Sequence, residues 1–361
     1  MTNDMTKGSP IKLILSFMVP LLIGNIFQQF YNMADTIIVG RTISVEALAA
    51  VGATGSISFL IVGFVQGVTS GFAVITAQRF GAGSENGVRR SVATSIILGI
   101  AVTIVMTAIS VLAARPLLEI MKTPSDIIDD SYNYIIVIFE GIAAAVFFNL
   151  FSSILRSLGD SKTPLVFLII ASIINIILDF VFILTFKMGV AGAGWATVIA
   201  QFISGILCFV YSLKKFPILR LTKHDWKFSW KFAWQHLEVG LPMAFQFSIT
   251  AIGTMVIQSA LNSLGSTAVA AFTAGSKIDQ FATQPLASLG VAVATYTAQN
   301  YGAGNSYRIR KGYRISFIII ALWGLLVTAA FVFFPTPISR LFFHEADAIA
   351  IAVDYLIIIG F

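Results

Sequence analysis

The chain has 361 residues, of which 57% are hydrophobic and only 11% are charged, and its mean hydropathy is +0.88. Soluble globular proteins devote about a quarter of their residues to charge, so this composition excludes a water-covered globule and predicts a membrane protein. The formal net charge of +6 does not indicate nucleic-acid binding, because Lys and Arg lie in short loops between apolar stretches, where they orient membrane proteins.

Ten apolar stretches follow one another along the chain, and a bilayer is crossed by about 20 such residues in a helix. The predicted spans cover residues 13–38, 49–76, 92–114, 131–155, 164–186, 190–213, 233–261, 270–298, 313–335 and 347–361. The fold class is therefore an all-α polytopic membrane protein. The last stretch reaches Phe361 in the middle of a predicted helix, so we expect two further spans to be missing.

Positive charge is distributed unequally between alternate loops. Seventeen Lys and Arg residues lie in one set of loops and five in the other, and Lys277 falls inside a span. Since cytoplasmic loops carry the excess of Lys and Arg, we expect a cytoplasmic N-terminus in a multi-pass protein of the inner or plasma membrane.

Span one contains a series of polar residues. Asp35 lies in its outer part, after two asparagines and two glutamines: Asn25, Gln28, Gln29 and Asn32. Charged residues inside spans are costly and usually functional, although Asp35, close to Arg41, is also a candidate for a helix-end cap. Pro20 interrupts the same span and permits either a hinge or a fixed kink.

Spans five and six carry polar residues at a similar depth. Asn175 and Asp179 are four residues apart, so one face of the predicted helix carries both. Thr197 lies in the outer half of span six. Together with Asp35, these oxygen-bearing side chains could hold a proton or a Na⁺ ion. Each residue alone could instead make an ordinary bond between helices.

The segment between spans six and seven is the longest basic loop. Trp226, Trp230 and Trp234 recur every four residues, and Lys223, Lys227 and Lys231 recur one step out of phase with them. On a helix this pattern predicts an aromatic stripe beside a cationic one, typical of a segment at the headgroup level. We interpret residues 214–232 as an interfacial cytoplasmic linker between a six-helix lobe, 1–213, and a partial second lobe, 233–361.

The second half repeats motifs of the first. Residues 76–83 read TAQRFGAG and residues 297–304 read TAQNYGAG, 221 residues apart. Pro20 has a counterpart in Pro242, which interrupts span seven. Because six spans separate the copies, both have the same orientation, which predicts a parallel repeat of two lobes around a central cavity. Lys277 and Asp279 lie in span eight on different faces, and either could face the cavity.

No catalytic or ATP-binding arrangement is visible. The run Gly159–Thr163 lacks the leading glycine of a phosphate-binding loop, and we find no nucleophile with a base and no metal-ligand cluster. We therefore predict a transporter that is not an enzyme, has no cofactor and is driven by an ion gradient. We expect it to act as a monomer.

Four segments together resemble the multidrug and toxic compound extrusion family: PLLIGNIFQQFYNMADTIIVG (20–40), TAQRFGAG (76–83), LRSLGDSKTP (155–164) and the echo of the second in the other half. The resemblance implies two six-span lobes around a V-shaped cavity and the export of organic cations in exchange for H⁺ or Na⁺. It also implies a cation site in the first lobe at Asp35, Asn175, Asp179 and Thr197, with Asn149 joining them, and a bend of span one at Pro20.

One departure from that family concerns span seven. Some relatives carry an acidic residue about two turns past the proline, where this chain has Gln246, so the resemblance favours coupling through the first lobe. The main alternative function is a flippase for lipid-linked precursors in the same broad superfamily. Such proteins tend to hold a pyrophosphate with several basic residues, whereas here only Lys277 lies within a span. A passive channel is a further alternative.

Overall fold

A computed structural model describes residues 4–262, 266–340 and 346–360, which are almost entirely helical. The described residues form thirteen α-helices: α1 Pro10–Thr42, α2 Val45–Ala53, α3 Gly55–Gly81, α4 Glu85–Ile120, α5 Ile128–Glu140, α6 Ile142–Ser157, α7 Lys162–Phe180, α8 Gly189–Lys215, α9 Trp230–Asn262, α10 Ser266–Gly302, α11 Ser306–Phe333, α12 Pro335–Arg340 and α13 Ala346–Gly360. This architecture confirms the predicted all-α class. We call α1–α8 the first lobe and α9–α13 the second lobe, while the exact domain limits predicted above stay a prediction.

Seven of the described helices are long and apolar enough to cross a membrane, and eight if α5 and α6 are counted as one bent span. They are α1, α3, α4, α7 with the turn after it, α8, α9 and α11. Predicted spans eight and ten correspond to α10 and α13, which do not meet that measure within the described residues. Ten helical stretches therefore match the prediction, but not all ten pass as spans by length and composition.

Two predicted spans are each divided into two helices. Span two, expected over 49–76, is broken at Thr54, whose hydroxyl donates a hydrogen bond to the carbonyl of Val51 over 2.7 Å. Span four, expected over 131–155, bends by 47° at Gly141, between α5 and α6. A Cβ atom at Gly141 would overlap the side chain of Val198, so the glycine permits the close approach of α8. Hydropathy alone cannot locate such breaks.

The segment between the lobes differs from its prediction. Residues 220–229 are not helical and contain a turn at 223–226. Because α9 begins only at Trp230, Trp226 does not share a helix with Trp230 and Trp234. The predicted continuous helical stripe is therefore wrong. All three tryptophans are nevertheless exposed, with relative accessibilities of 44%, 63% and 54% in chain order, and they present aromatic surface beside the basic loop.

The two copies of the TAQ motif end their helices in the same way. Gly83 and Gly304, which follow α3 and α10, have φ angles of +67° and +66°, a left-handed conformation that glycine adopts without strain. In each copy the next residue then caps the following helix: the Ser84 hydroxyl accepts from the N–H of Gly87, and the Asn305 side chain accepts from the N–H of Arg308. The motif is thus a helix stop followed by a helix start.

The two motifs also cross each other closely. A Cβ atom at Gly81 would overlap the carbonyl oxygen of Gln299, and one at Gly302 would overlap the carbonyl oxygen of Gln78. Both pairs are related by the 221-residue offset of the repeat. A reciprocal contact of this kind is expected when a two-fold axis relates two copies. We call this end of the bundle the basic end, because the Lys- and Arg-rich loops follow these motifs.

A longer interface joins the lobes from this crossing toward mid-depth, and we call it the seam. Gly67 and Gly71 of α3 bring its backbone against the backbone of α9 at Ala244 and Gly240. Small residues allow helices to approach in this way. Along α1 and α10 the described contacts include a hydrogen bond from Asn25 to Ser288 of 3.1 Å and a ring contact between Phe30 and Phe281. The site described next lies beyond Phe30 along α1, away from the basic end.

Candidate cation site in the first lobe

Three helices of the first lobe place polar side chains at a common depth. Asp35 of α1 has 8% of its surface exposed, and Asn175 and Asp179 of α7 are fully buried. Thr197 of α8 is half-buried beside them. Since α1 and α7 run away from the basic end and α8 runs back toward it, these positions meet at one level.

Hydrogen bonds connect the amide and hydroxyl members of this group. The Asn175 amide donates from Nδ2 to the Thr197 hydroxyl over 3.3 Å, and the hydroxyls of Tyr31 and Thr197 lie 3.4 Å apart. Thr197 therefore links α7 to α1 through its single oxygen. The predicted residues Asn175 and Thr197 are in direct contact.

The carboxyl groups of Asp35 and Asp179 face each other, close enough for one proton to form a hydrogen bond between them. Without such a proton, four buried oxygen atoms have no hydrogen-bond partner in the described structure: Oδ1 of Asp35, Oδ1 of Asn175 and both carboxylate oxygens of Asp179. Buried polar atoms are rarely left without a partner, so the group has the capacity to accept a ligand. We refer to Asp35 and Asp179 as the carboxylate pair.

In the part of the chain that the structure describes, the carboxylate pair has no basic counter-charge. Among the described residues, no Lys, Arg or His forms an ion pair with either aspartate. Two carboxylates at close range repel each other unless a proton or a cation lies between them. Carboxylate, amide and hydroxyl oxygens are hard donors, which suit Na⁺ as well as H⁺. In the part of the chain that the structure describes, no cluster of three His, Cys, Asp or Glu residues is present for a transition metal.

Two tyrosines complete the group and were not among the predicted residues. Tyr31 lies one helical turn before Asp35, so the spacing along α1 could have revealed it. Tyr134 of α5 interacts electrostatically with Asp35 and Asp179. It packs against the same apolar cluster as Ile176 of α7. Nothing in its own sequence neighbourhood indicates that position, because the packing of α5 against α1 and α8 places it there.

The backbone of α7 changes immediately after Asp179. Residues Val181–Thr185 form a π-helical turn, and the segment ends near Lys187 and Gly189, both with positive φ. Such π turns inside helices occur often at functional sites. This irregular turn lies where α7 approaches α8, next to the carboxylate pair.

The other predicted residues are not part of these contacts. Asn149 of α6 donates to the carbonyl of Ala145 in its own helix over 2.9 Å. Pro20 and Pro242 lie inside the continuous helices α1 and α9. Gln246 is exposed and Asp279 is half-buried, while the side chain of Lys277 lies outside the described residues. The roles predicted for these residues stay predictions.

Comparisons with known proteins agree over nearly the whole chain. The MatE family model matches residues 20–181 and 242–361. A probable multidrug resistance protein of Bacillus subtilis, YpnP, is 30% identical over 99% of this chain and 80% of its own length. A probable multidrug resistance protein of Thermotoga maritima, NorM, is 26% identical over 97% of this chain and 76% of its own.

A solved structure has the same fold. It is described as the outward-facing conformation of a multidrug resistance MATE family transporter of the MOP superfamily. It superposes with a TM-score of 0.89 at 26% identity, over 99% of this chain and 80% of the other.

Proposed function

This chain belongs to the MatE family of multi-pass membrane transporters, and from that premise we propose that it is a secondary active antiporter. In this proposal it exports organic cations, including drugs, in exchange for H⁺ or Na⁺. Asp35 and Asp179 bind the coupling ion together with Asn175 and Thr197. Tyr31 and Tyr134 surround the pair, and Asn149 extends the site from α6.

One observation carries the proposal. The carboxyl groups of Asp35 and Asp179 are buried, face each other and have no basic partner among the described residues. A purely structural pair of acids would be expected to have a donor, because an uncompensated buried charge is costly. An ion that enters and leaves supplies the missing charge in one state and withdraws it in another. Such a site can therefore couple an ion gradient to a change of conformation.

Alternating access fits the way in which the lobes meet. The seam joins them from the basic end to Phe30 and Phe281, and the carboxylate pair lies beyond that level. If the N-terminus is cytoplasmic, as the loop charges predict, the seam closes the cytoplasmic side of an outward-facing transporter. We assign 1–213 and 233–361 to the two moving lobes and 214–232 to the cytoplasmic linker. The unit is one chain in the plasma membrane.

Organic cations are the favoured substrates because the pair offers negative charge. The organic cation and the coupling ion would then compete for the negative charge of the first lobe. Binding of one would favour release of the other, so the ion gradient alone can drive the exchange. A lipid-linked pyrophosphate needs clustered basic groups instead, and the described part of the spans offers no such cluster beside the carboxylate pair.

The test is export of a cationic dye from vesicles that contain the purified protein. A proton gradient and a Na⁺ gradient are imposed in separate experiments, with protein-free vesicles as the control. We expect export to follow one gradient and to stop when an ionophore dissipates it. Export that is indifferent to both gradients would contradict the antiporter and favour a channel, whereas movement of lipid-linked precursors alone would favour the flippase.

A further inference from the structure

An apolar groove lies on the first lobe between α4 and α8, with α6 as its floor. Its volume is about 650 Å³, within the range of about 300–1,000 Å³ that is usual for ligand sites. The floor residues Leu150 and Ile154 are buried, whereas Ile100, Ile104 and Phe202 on the two walls are exposed. The groove therefore opens toward the surroundings of the protein. We call it the outer groove.

Aromatic rings form a firm apolar surface in the outer groove. The rings of Phe147 and Phe151 of α6 have their centroids 5.0 Å apart, and Phe209 of α8 lies 4.9 Å from Phe151. Gly205 of α8 permits this packing, because a Cβ atom there would overlap the ring of Phe147. A preformed apolar surface of this kind suits a hydrocarbon chain rather than an ion.

The length of the outer groove matches one leaflet of a bilayer. Its lining runs from Val92 to Ile104 on α4 and from Phe202 to Leu213 on α8. At the rise of an α-helix these stretches measure roughly 16–18 Å, about half of the ~30 Å hydrocarbon thickness. Since α4 begins and α8 ends at the basic end, the groove extends from that end to about mid-depth. A lipid acyl chain has this reach, whereas a spanning helix of a partner would need the full thickness.

The segment between the lobes closes the outer groove at the basic end. Leu219, Leu221 and Trp226 line it there. Nε of Arg220 donates to the carbonyl of Leu213 over 3.2 Å, and Leu213 also lines the groove. The Arg220 guanidinium therefore lies at the mouth of the groove. Tryptophan is enriched where headgroups meet hydrocarbon, so the mouth has the composition of a headgroup-level surface.

The mouth of the outer groove carries surplus positive charge. Residues 214–229 contain five Lys and Arg residues and one acid, Asp225. Asp225 already accepts from the N–H and the hydroxyl of Thr222, each over 2.7 Å, and lies 3.9 Å from Nε of Arg89. Among the described residues, Arg220 and Lys223 form no ion pair with an acid. Basic clusters next to membrane spans attract anionic lipid headgroups.

We propose that the outer groove binds one anionic phospholipid from the leaflet at the basic end. An acyl chain lies against α4, α6 and α8, and the phosphate lies beside Arg220 and Trp226. A zwitterionic lipid fits the apolar part equally well but carries a cation of its own, so the mouth selects a lipid with net negative charge. The site is separate from the carboxylate pair and does not depend on the proposed antiport.

Lipid binding can be measured through Trp226, because bromine atoms on a nearby acyl chain quench tryptophan fluorescence. The chain has five tryptophans, and the other four are changed to Phe. The protein is placed in phosphatidylcholine vesicles that contain a small fraction of brominated phosphatidylglycerol, which is anionic, or of brominated phosphatidylcholine. The matched control keeps only Trp234, which is also exposed but does not line the groove.

We expect the anionic lipid to bind beside Trp226 at least about fivefold more tightly than the zwitterionic lipid, since each Lys or Arg near a headgroup contributes about that factor. The preference measured at Trp234 should be clearly smaller. A preference at Trp226 no larger than that at Trp234 would overturn the proposal.

Filling the outer groove separates a lipid site from general attraction to basic surface. Gly99 lies midway along the α4 wall, and its added Cβ would meet the end of the Leu150 side chain at 3.3 Å. Gly99→Leu keeps every charge, so it should lower the preference at Trp226 to that at Trp234. Gly253→Leu, in open space on α9, should leave the preference unchanged. Ala143→Phe fills the groove from α6 if Gly99→Leu does not fold. A full preference in a folded, filled variant would overturn the site.

The headgroup contact is tested by Arg220→Gln, which should lower the preference at Trp226 by about fivefold. Lys311→Gln, an exposed base on α11, is the control and should bind like the parent. A second measurement needs no tryptophan replacement: phospholipid retained by the purified parent after detergent washing is identified by mass spectrometry and counted by phosphorus analysis. We expect one anionic phospholipid per chain and a loss of it in Gly99→Leu. Retention of zwitterionic lipid alone, or of none, would contradict the proposal.

Discussion

The seam and the carboxylate pair both contain buried polar side chains, but the seam satisfies them and the pair does not. At the seam, the fully buried amide of Gln299 accepts from the N–H of Met5 over 2.9 Å and donates to the carbonyl of Ser157 over 2.8 Å. Asn300 donates to the carbonyls of Met5 and Tyr296 and accepts from Nε of Arg308. At the pair, both oxygens of Asp179 are without a partner in the described structure.

A buried histidine extends the same contrast. Nδ1 of His236 lies 3.0 Å from the carbonyl of Phe232, which can only accept, so Nδ1 donates. In the neutral ring Nε2 then accepts from Ser91 over 2.9 Å, and the Ser91 hydroxyl meets Thr76 over 2.9 Å. This series of hydrogen bonds connects α9 to α4 and α3, and both ring nitrogens of His236 have a partner. Saturated polar groups hold helices together, whereas unsaturated ones leave room for a ligand.

The largest effect is expected at the carboxylate pair, where the polar atoms lack partners in the described structure. Asp179→Asn keeps the shape of the side chain but removes the exchangeable charge, so gradient-driven dye export should fall to the level of protein-free vesicles. Thermal unfolding in detergent should change little, because no hydrogen-bond donor among the described residues contacts the oxygens of Asp179. Asp130→Asn, an exposed acid on α5, is the matched control and should export like the parent. Retained export in Asp179→Asn would place the coupling ion elsewhere.

The opposite pattern is expected at the seam. Gly81→Ala places a methyl group against the carbonyl of Gln299, and overpacking of this kind costs about 1–3 kcal/mol. The thermal unfolding midpoint should therefore fall, while ion-dependent dye binding is retained. Gly253→Ala on α9, where a Cβ meets no other atom within 4 Å, should unfold at or slightly above the parent temperature. Equal midpoints for the two variants would mean that the crossing is looser than described.

The smallest effect is expected for a single side chain at the seam, Arg308, which binds the N-terminal segment. Arg308 donates to the carbonyls of Met5 and Gly8 over 3.0 and 2.8 Å. Arg308→Ala should loosen the N-terminal segment locally by about 1–3 kcal/mol, with dye export reduced only modestly. Hydrogen exchange of residues 4–9 measures this, and Arg310→Ala, an exposed neighbour, serves as control. Unchanged exchange protection in Arg308→Ala would show that Gln299 and Asn300 hold the segment without it.

Local spacing made part of this site predictable from the sequence. Asp179 is a charge within an apolar span, and its distance of four residues from Asn175 fixes a shared face, so both could be named. Tyr31 follows the same rule relative to Asp35. Tyr134 could not be found in this way, because only the packing of α5 brings it to the pair.

The fold was also predictable in part. Hydropathy located the helical stretches, and the TAQ repeat predicted two related halves. The repeat did not predict that Gly81 and Gly302 each lie against the backbone of the other copy. Such a crossing depends on the angle between the helices, which the sequence does not show. The break at Thr54 and the bend at Gly141 escaped for a different reason: short interruptions leave the mean hydropathy of a span nearly unchanged. The spacing of the tryptophans suggested one helix through the linker, but Trp226 lies in a turn and the helix begins only at Trp230.

The most direct test is to ask whether substrate binding displaces an ion from the carboxylate pair. A cationic dye is added to purified protein in weakly buffered detergent solution, and released protons are followed with a pH indicator, or released ²²Na⁺ by filtration. We predict ion release in proportion to bound dye for the parent and for Asp130→Asn, and none for Asp179→Asn. Equal release by Asp179→Asn and the parent would contradict the assignment of the coupling ion to this pair.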